Sequence, residues 1–263
     1  MSSTLGSSAD GLAPAPDATV PQRILVIDVG GTKIKILASG QSEPRKISSG
    51  PKMTPARMVE AVKELAEDWE YDVISIGCPG IVGDHGPRSE PGNLGPGWVG
   101  FDFAAAFGKP VRIMNDAAMQ ALGGYEGGRM LYLGLGTGIG STLIAENVIV
   151  PLELGQLPYG DGRTLFEVLG RAGLERMGKA AWREALVGIV HSLMSAFIAD
   201  YVVLGGGNAK ELKDVPAGVH LGNNLNAFRG GFRLWHLEDV PTLAADGTVP
   251  GPPKPAHAEW RVL

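Results

Sequence analysis

Twice in this chain an apolar run breaks into glycines and a threonine, then resumes as a second run. Residues 26–37 read VIDVGGTKIKIL and residues 133–144 read LGLGTGIGSTLI. Alternating apolar residues on either side predict strands, and a short glycine-rich break between them predicts a hairpin turn. Two such openings so far apart point to two α/β units of similar plan. They do not fit the short-period repeats of solenoids or propellers. The first copy carries an acid, Asp28, inside its apolar run, and a third glycine cluster, Gly205-Gly206-Gly207, ends the run YVVLG. Clustered glycines at strand ends free the backbone for close approach to a ligand.

The stretches between these motifs fit the same plan. Residues 24–28 and 34–39 are the first two expected strands, with a third around PRKISSG. Thr54 is placed to cap a helix with Pro55 at its first position. Met58, Val59, Val62, Leu65 and Ala66 keep helical spacing to about Trp69. Residues 73–77 (VISIG) and 111–116 (VRIMND) are further strands, the second followed by a helix over about 117–122. Residues 130–150 are expected to form two strands joined by the glycine turn. Residues 163–177 and 181–198 are expected helices. Between strands, residues 86–100 (GPRSEPGNLGPGWVG) form a Gly/Pro loop too long for a mere connection, as binding segments often are.

Neither common phosphate-loop pattern accounts for the glycines. The nearest Walker-type match, Gly173 to Lys179, has Ala180 where a hydroxyl is required and follows no strand. The run GLGTGIG is followed by a strand, whereas a dinucleotide fingerprint opens a helix. What remains is a pair of hairpin turns whose N–H groups, with the Thr32 and Thr137 hydroxyls, form concavities suited to phosphate. For either turn alone, a plain tight turn is an equally good reading. Asn115-Asp116 closes a strand and precedes a helix, where α/β sheets present ligands. Those two residues also suit a helix N-cap.

Taken together, Asp28-x-Gly30-Gly31-Thr32-Lys33, Asn115-Asp116, Leu135 to Ser141 and Gly205-Gly206-Gly207 resemble, in order and spacing, the ROK sugar kinases. Within that family the chain looks most like the polyphosphate glucokinases, over roughly residues 23–235. The resemblance implies an α/β fold of two ribonuclease H-like (actin-type ATPase) domains with a cleft between them. The first domain would span residues 23–117, completed by a helix near 224–236, and the second 118–223. Residues 1–22 would be a disordered arm and 237–263 an extended tail.

The roles it implies are those of a phosphotransferase. Asp116 would be the general base that accepts the proton of a sugar hydroxyl, which is a poor nucleophile without an acceptor. Asn93, Asn115, Glu153 and Gln156 would hold the sugar. Gly30, Gly31, Thr32, Lys33, Gly136, Thr137, Gly138 and Gly205–Gly207 would surround the phosphates. Asp28 would orient Mg²⁺ through water. ATP or polyphosphate would be the donor, and a homodimer is expected. The family's Glu-x-Gly-His signature reads Glu153-Leu154-Gly155-Gln156 here, and Pro158 stands where polyphosphate glucokinases often carry Glu. Gln156 keeps hydrogen-bonding capacity and Pro158 has none in its side chain, so the implied hexose is glucose-like rather than glucose by signature. The competing reading is a catalytically degenerate sugar-binding or regulatory protein of the same family.

Composition narrows the partners. A formal net charge of −5 argues against nucleic acid or an anionic membrane surface as the main partner. The start is too polar for a signal peptide or a helix-turn-helix. One cysteine, Cys78, excludes an internal disulfide and the family's cysteine-rich structural zinc site, and fits a reducing, cytoplasmic setting. Lys109, Arg112, Lys179 and Arg183 are the candidates for a basic polyphosphate track.

Overall fold

The computed structural model describes residues 23–83, 86–212, 214–223, 225–235 and 261–262. The expected arm, 1–22, and all but two residues of the expected tail, 237–263, lie outside them. Two mixed sheets carry the chain. The first contains β1 (Ile24–Val29), β2 (Lys33–Ala38), β3 (Arg45–Ser48), β4 (Val73–Cys78) and β7 (Val111–Asn115), in the order β3-β2-β1-β4-β7. A small hairpin, β5 (Val82–Gly83) and β6 (Gly86–Pro87), leaves it after β4. The second contains β8 (Met130–Leu135), β9 (Ile139–Ala145), β10 (Val148–Leu152), β13 (Tyr201–Gly205), β14 (Val219–Leu221) and β15 (Arg261–Val262), in the order β14-β13-β8-β9-β10-β15. A two-residue pair, β11 (Pro158–Tyr159) and β12 (Arg163–Thr164), stands apart.

The two sheets repeat one plan. In the first, β1 runs antiparallel to β2 and parallel to β4, which is parallel to β7. In the second, β8 runs antiparallel to β9 and parallel to β13, which is parallel to β14. The duplication expected from the two glycine turns is therefore visible in the topology itself.

Helices cover the outer faces. α1 (Pro55–Leu65) starts where Thr54 accepts the Arg57 N–H at 3.4 Å. It lays Met58, Val59 and Val62 against the first sheet with α2 (Phe103–Phe107) beside it. α1 ends short of Trp69 because residues 67 and 69 donate to carbonyls three residues back, tightening the chain into turns. On the second sheet lie α4 (Leu165–Leu169) and α5 (Arg171–Ala196), around Trp182, Leu186 and Val190.

Between the sheets lie α3 (Asp116–Gly124) and α6 (Asn226–Arg233). They cross almost backbone to backbone: a methyl on Gly123 would overlap the Asn226 carbonyl, and one on Gly230 the Met119 carbonyl. α6 drives Phe228 and Phe232 into the central core, each burial contributing about 2 kcal/mol. It is tied to the first sheet by the Ser75 hydroxyl, which donates to the Gly231 carbonyl at 2.6 Å. The Arg233 guanidinium donates to the Leu122 and Tyr125 carbonyls at 2.7 and 2.8 Å, closing the end of α3.

Several local expectations are corrected. Residues 130–152 form three strands, because Glu146 and Asn147 take positive φ (50° and 61°) in a two-residue turn. The helix expected over 163–177 is split at Gly170, where a Thr164/Glu167 capping box starts the short α4. α5 runs through the predicted gap, with its break at Gly178 (φ 76°, ψ 162°). The Walker-like Lys179 pairs with Glu211 at 2.7 Å. α2 and β14 escaped the sequence reading because five and three residues are too short for periodicity. Residues 261–262 pair in parallel with β10 instead of trailing away.

Candidate active site

The two glycine turns, the N-terminus of α3 and the end of β13 converge at matching ends of the two sheets. In the first turn the Gly30 N–H donates to the Lys33 carbonyl at 3.0 Å, and the Ser49 N–H to the Thr32 carbonyl at 2.9 Å. Thr32 and Lys33 are exposed. Asp28 lies below the turn, 8% exposed, and its Oδ2 accepts from the Lys35 ammonium at 3.0 Å. The two residues are cross-strand partners in register, so the acid is buried with a counter-charge, as burial demands. Lys35 escaped the sequence reading although strand alternation places it opposite Asp28.

Asn93 is brought to the first turn, packing against Gly31. Its loop is held open by Glu90, whose carboxylate accepts the N–H groups of Gly97, Trp98 and Val99 at 3.0–3.3 Å. Trp98 is fully buried and pins the loop through its indole N–H to the Met53 carbonyl at 3.3 Å.

The second turn is built without charge. The Gly136 N–H donates to the Gly138 carbonyl at 3.0 Å. From outside, the Asn208 carboxamide donates to the Gly136 carbonyl at 2.9 Å, and the Arg171 N–H to the Thr137 carbonyl at 3.2 Å. The end of β13 presses on the same place. Gly206 has φ 81°, and a side chain there would overlap the Leu135 carbonyl. Thr137 is exposed, and the ring of Phe166 lies against Gly138 and beside Gly155.

Asn115 and Asp116 sit at the head of α3. Asn115 is its N-cap: Oδ1 accepts the Ala118 N–H at 3.1 Å and Nδ2 donates to the Gly80 carbonyl at 2.9 Å. One acceptor position and one N–H remain for a ligand. Asp116 is the first helical residue, with Oδ1 accepting the Ala117 N–H at 2.9 Å. Its carboxyl is pushed up to about 6, first by burial, then by the negative charge of Asp28, with a smaller push from Glu153. The charges of Asp28 and Glu153 thus both reach Asp116.

Glu153 precedes a turn of 3₁₀ helix (Leu154–Gln156) that Gln156 ends, and both are exposed. Ser141 anchors this segment: its hydroxyl donates to the Leu152 carbonyl at 2.8 Å and accepts the Leu154 N–H at 3.0 Å. The Gln156 side chain makes no hydrogen bond among the described residues, so nothing inside the protein fixes its direction. Cys78 is buried beside Asp116, and desolvation raises its thiol far above the ordinary range. That leaves it a core residue rather than a nucleophile.

The four candidate cations do not form one track. Lys109 lies over the Tyr71 ring and Arg112 over the Trp235 ring, both beside the first sheet. Lys179 pairs with Glu211, and Arg183 donates to the Glu211 carbonyl, both on α5.

Residues 24–151 match the model of the ROK family. The chain carries a ROK family domain. Polyphosphate glucokinase from Mycobacterium tuberculosis is 26% identical over 218 residues, covering 74% of this chain and 82% of that protein. The crystal structure of inorganic polyphosphate/ATP-glucomannokinase from Arthrobacter sp. strain KM superposes with a TM-score of 0.68 at 26% identity, covering 82% of this chain and all of that one. A ROK family glucokinase from Streptomyces griseus, solved with glucose and AMPPNP, has a TM-score of 0.61 at 16% identity, covering 81% and 98%; it speaks for the fold alone. The ROK domain thus spans the first glycine turn, Asp116, the second turn and β10, and the fold is the actin-type ATPase arrangement.

Proposed function

We propose that this chain is a sugar kinase that moves the terminal phosphoryl group of ATP or polyphosphate onto a hydroxyl of a glucose-like hexose. The observation that carries the reading is Asp116: a carboxyl at a helix head, raised to about 6, between two glycine turns. A carboxylate with that affinity for protons is ionised at neutral pH and still a better proton acceptor than an ordinary aspartate. It takes the proton from the sugar hydroxyl as the oxygen attacks phosphorus. Sequence and fold likeness to polyphosphate glucokinase and glucomannokinase support the same reaction class.

The remaining roles follow from position. The sugar lies between Asn93, packed against the first turn, Asn115 and Asp116 at the head of α3, and Glu153 after β10. The phosphates lie between the two turns, with the N–H groups of residues 30–32, 136–138 and 205–207 as donors. Among the described residues no group of three or more acidic, His or Cys side chains is arranged to hold a metal directly. Asp28 has one oxygen engaged by Lys35 and one left over, which suits Mg²⁺ held through water, as that ion prefers. When bound, Mg²⁺ offsets the charge on the phosphate oxygens; Asp28 orients its water shell.

A turnover assay that crosses ATP and polyphosphate with a panel of hexoses tests the proposal. Phosphate transfer to a hexose with either donor is expected. Sugar binding by calorimetry without transfer from any donor would leave the degenerate binding protein as the better reading.

A further inference from the structure

On α3 the residues short of full burial are Asp116, Gln120 and Gly124, spaced four apart on one stripe, while every other helical position is buried. The stripe faces the second sheet, and there the sheet has an unusual floor. Gly140, Gly134 and Gly205 are neighbours across three strands, and Gly222, whose N–H donates to the Leu204 carbonyl, extends the row. This row of glycines leaves a trough beneath the two glycine clusters. The ring of Tyr132 lies in it, its hydroxyl against Gly205 and near Gly134. Tyr132 is 1% exposed, and its hydroxyl donates to Gln120 Oε1 at 2.7 Å. It has no other hydrogen bond among the described residues.

That single bond sets the polarity of Gln120. A carboxamide has an acceptor end and a donor end. The buried hydroxyl must donate somewhere, and Oε1 is its acceptor, so the NH₂ group is the end left unengaged among the described residues, on a side chain that is only partly buried. One helical turn away is Asp116. Burial raises the pKa of the Tyr132 hydroxyl, and the negative charges of Asp116 and Asp28 add to it, so the pair lies within electrostatic reach of both carboxylates. A group that offers only N–H there suits a ligand that offers only acceptors. Phosphate oxygens meet that condition; a sugar hydroxyl both donates and accepts.

We propose that Gln120 is a further substrate-binding residue, donating its carboxamide N–H to an oxygen of the phosphoryl donor, and that Tyr132 is the positioning residue that turns it there. This rests on the kinase reading and names a donor contact outside the two glycine turns. It also gives the glycine row a purpose: it makes room for the tyrosine that aims the amide.

The test is calorimetric binding of a non-hydrolysable ATP analogue, of tripolyphosphate and of glucose. It uses the wild-type chain, Gln120→Ala, Tyr132→Phe and the double variant, with turnover and melting temperature measured alongside. Gln120→Ala is expected to weaken binding of whichever phosphate donor the protein takes by about 10-fold, as loss of a hydrogen bond to a charged group does. Glucose affinity should change by less than about 2-fold. Tyr132→Phe should weaken donor binding in the wild-type background and add nothing once Gln120 is alanine. A purely structural role would instead lower the melting temperature equally in both backgrounds and leave donor affinity unmoved. Unchanged donor affinity in Gln120→Ala, a loss confined to glucose, or equal effects of Tyr132→Phe in both backgrounds would each overturn the proposal. Donor binding without turnover by the wild type would defeat the kinase reading alone. Absence of any donor binding would defeat both.

Discussion

The two glycine turns occupy the same place in two copies of one sheet plan, yet their equivalent positions carry opposite chemistry. One pair in from the turn of the β1–β2 hairpin, Asp28 faces Lys35; at the matching place in β8–β9, Gly134 faces Gly140. The first pair puts a charge and its counter-charge beside the cleft. The second puts nothing there, and Ala117 of α3 fills the space: a methyl on Gly140 would lie 2.9 Å from the Ala117 side chain. The first sheet therefore supplies charge, and the second supplies neutral N–H donors and room for the helix head that carries Asp116. A duplicated scaffold thus carries a charged pair beside one turn and an uncharged one beside the other.

The sharpest break of that division is Asp116→Asn. Turnover is expected to fall by about 10²- to 10⁴-fold while calorimetric sugar binding is kept; an active variant would place the base elsewhere. In the intact protein, activity should rise with pH through about 6 as Asp116 ionises. Stability should run the other way. A carboxyl whose folded pKa is raised favours the fold while protonated, and that contribution is lost as pH rises from about 4 through about 6. Asp116→Asn should therefore melt higher at neutral pH, by up to about 2 kcal/mol of stability, and lose this pH dependence.

Next in size is a contrast between the turns. Gly206→Ala forces an alanine into φ 81° against the Leu135 carbonyl and should cost about 2–4 kcal/mol in denaturant unfolding. Gly31→Ala meets the Asn93 side chain at its root, with Cβ 3.0 Å away, but has no positive φ to strain it; it should cost about 1 kcal/mol while raising the sugar KM. Smaller than the Gly206 effect are those of the supports. Asn208→Ala removes a buried donor from the Gly136 carbonyl and should cost about 1–2 kcal/mol at any ionic strength. Lys35→Met removes a charge partner, and its effect should shrink when melts are repeated in high salt. A last effect, of opposite sign, lies away from both turns. Ile198 holds φ 50° after α5 and is 72% exposed, so Ile198→Gly should stabilise by about 1 kcal/mol.

Much of this was legible in the chain because strong periodicity and turn chemistry are local. The hairpins, VISIG, VRIMN and YVVLG all appear where alternating or continuous apolar runs place them. α2, β14 and the β9–β10 turn were not legible, since each depends on a few residues whose conformation is set by neighbours distant in sequence. Within the site, Asp28, Asp116 and the glycines announce themselves as charge or flexibility in an apolar run. Tyr132, Gln120 and Asn208 do not. A tyrosine in a strand and a glutamine on a helix are ordinary until the fold brings them within 2.7 Å, and Asn208 reads as one more loop residue after three glycines. Asn115 shows the converse: the motif marks it for sugar, and the structure also uses both ends of its amide to cap and hold α3.

The crossing of α3 and α6 has a mechanical consequence. The chain links its two sheets through these helices, and where they meet at Gly123 and Gly230 no side chain separates the backbones. Held this close, the two helices leave no slack between the sheets, and a methyl group at either glycine would act as a wedge in the joint.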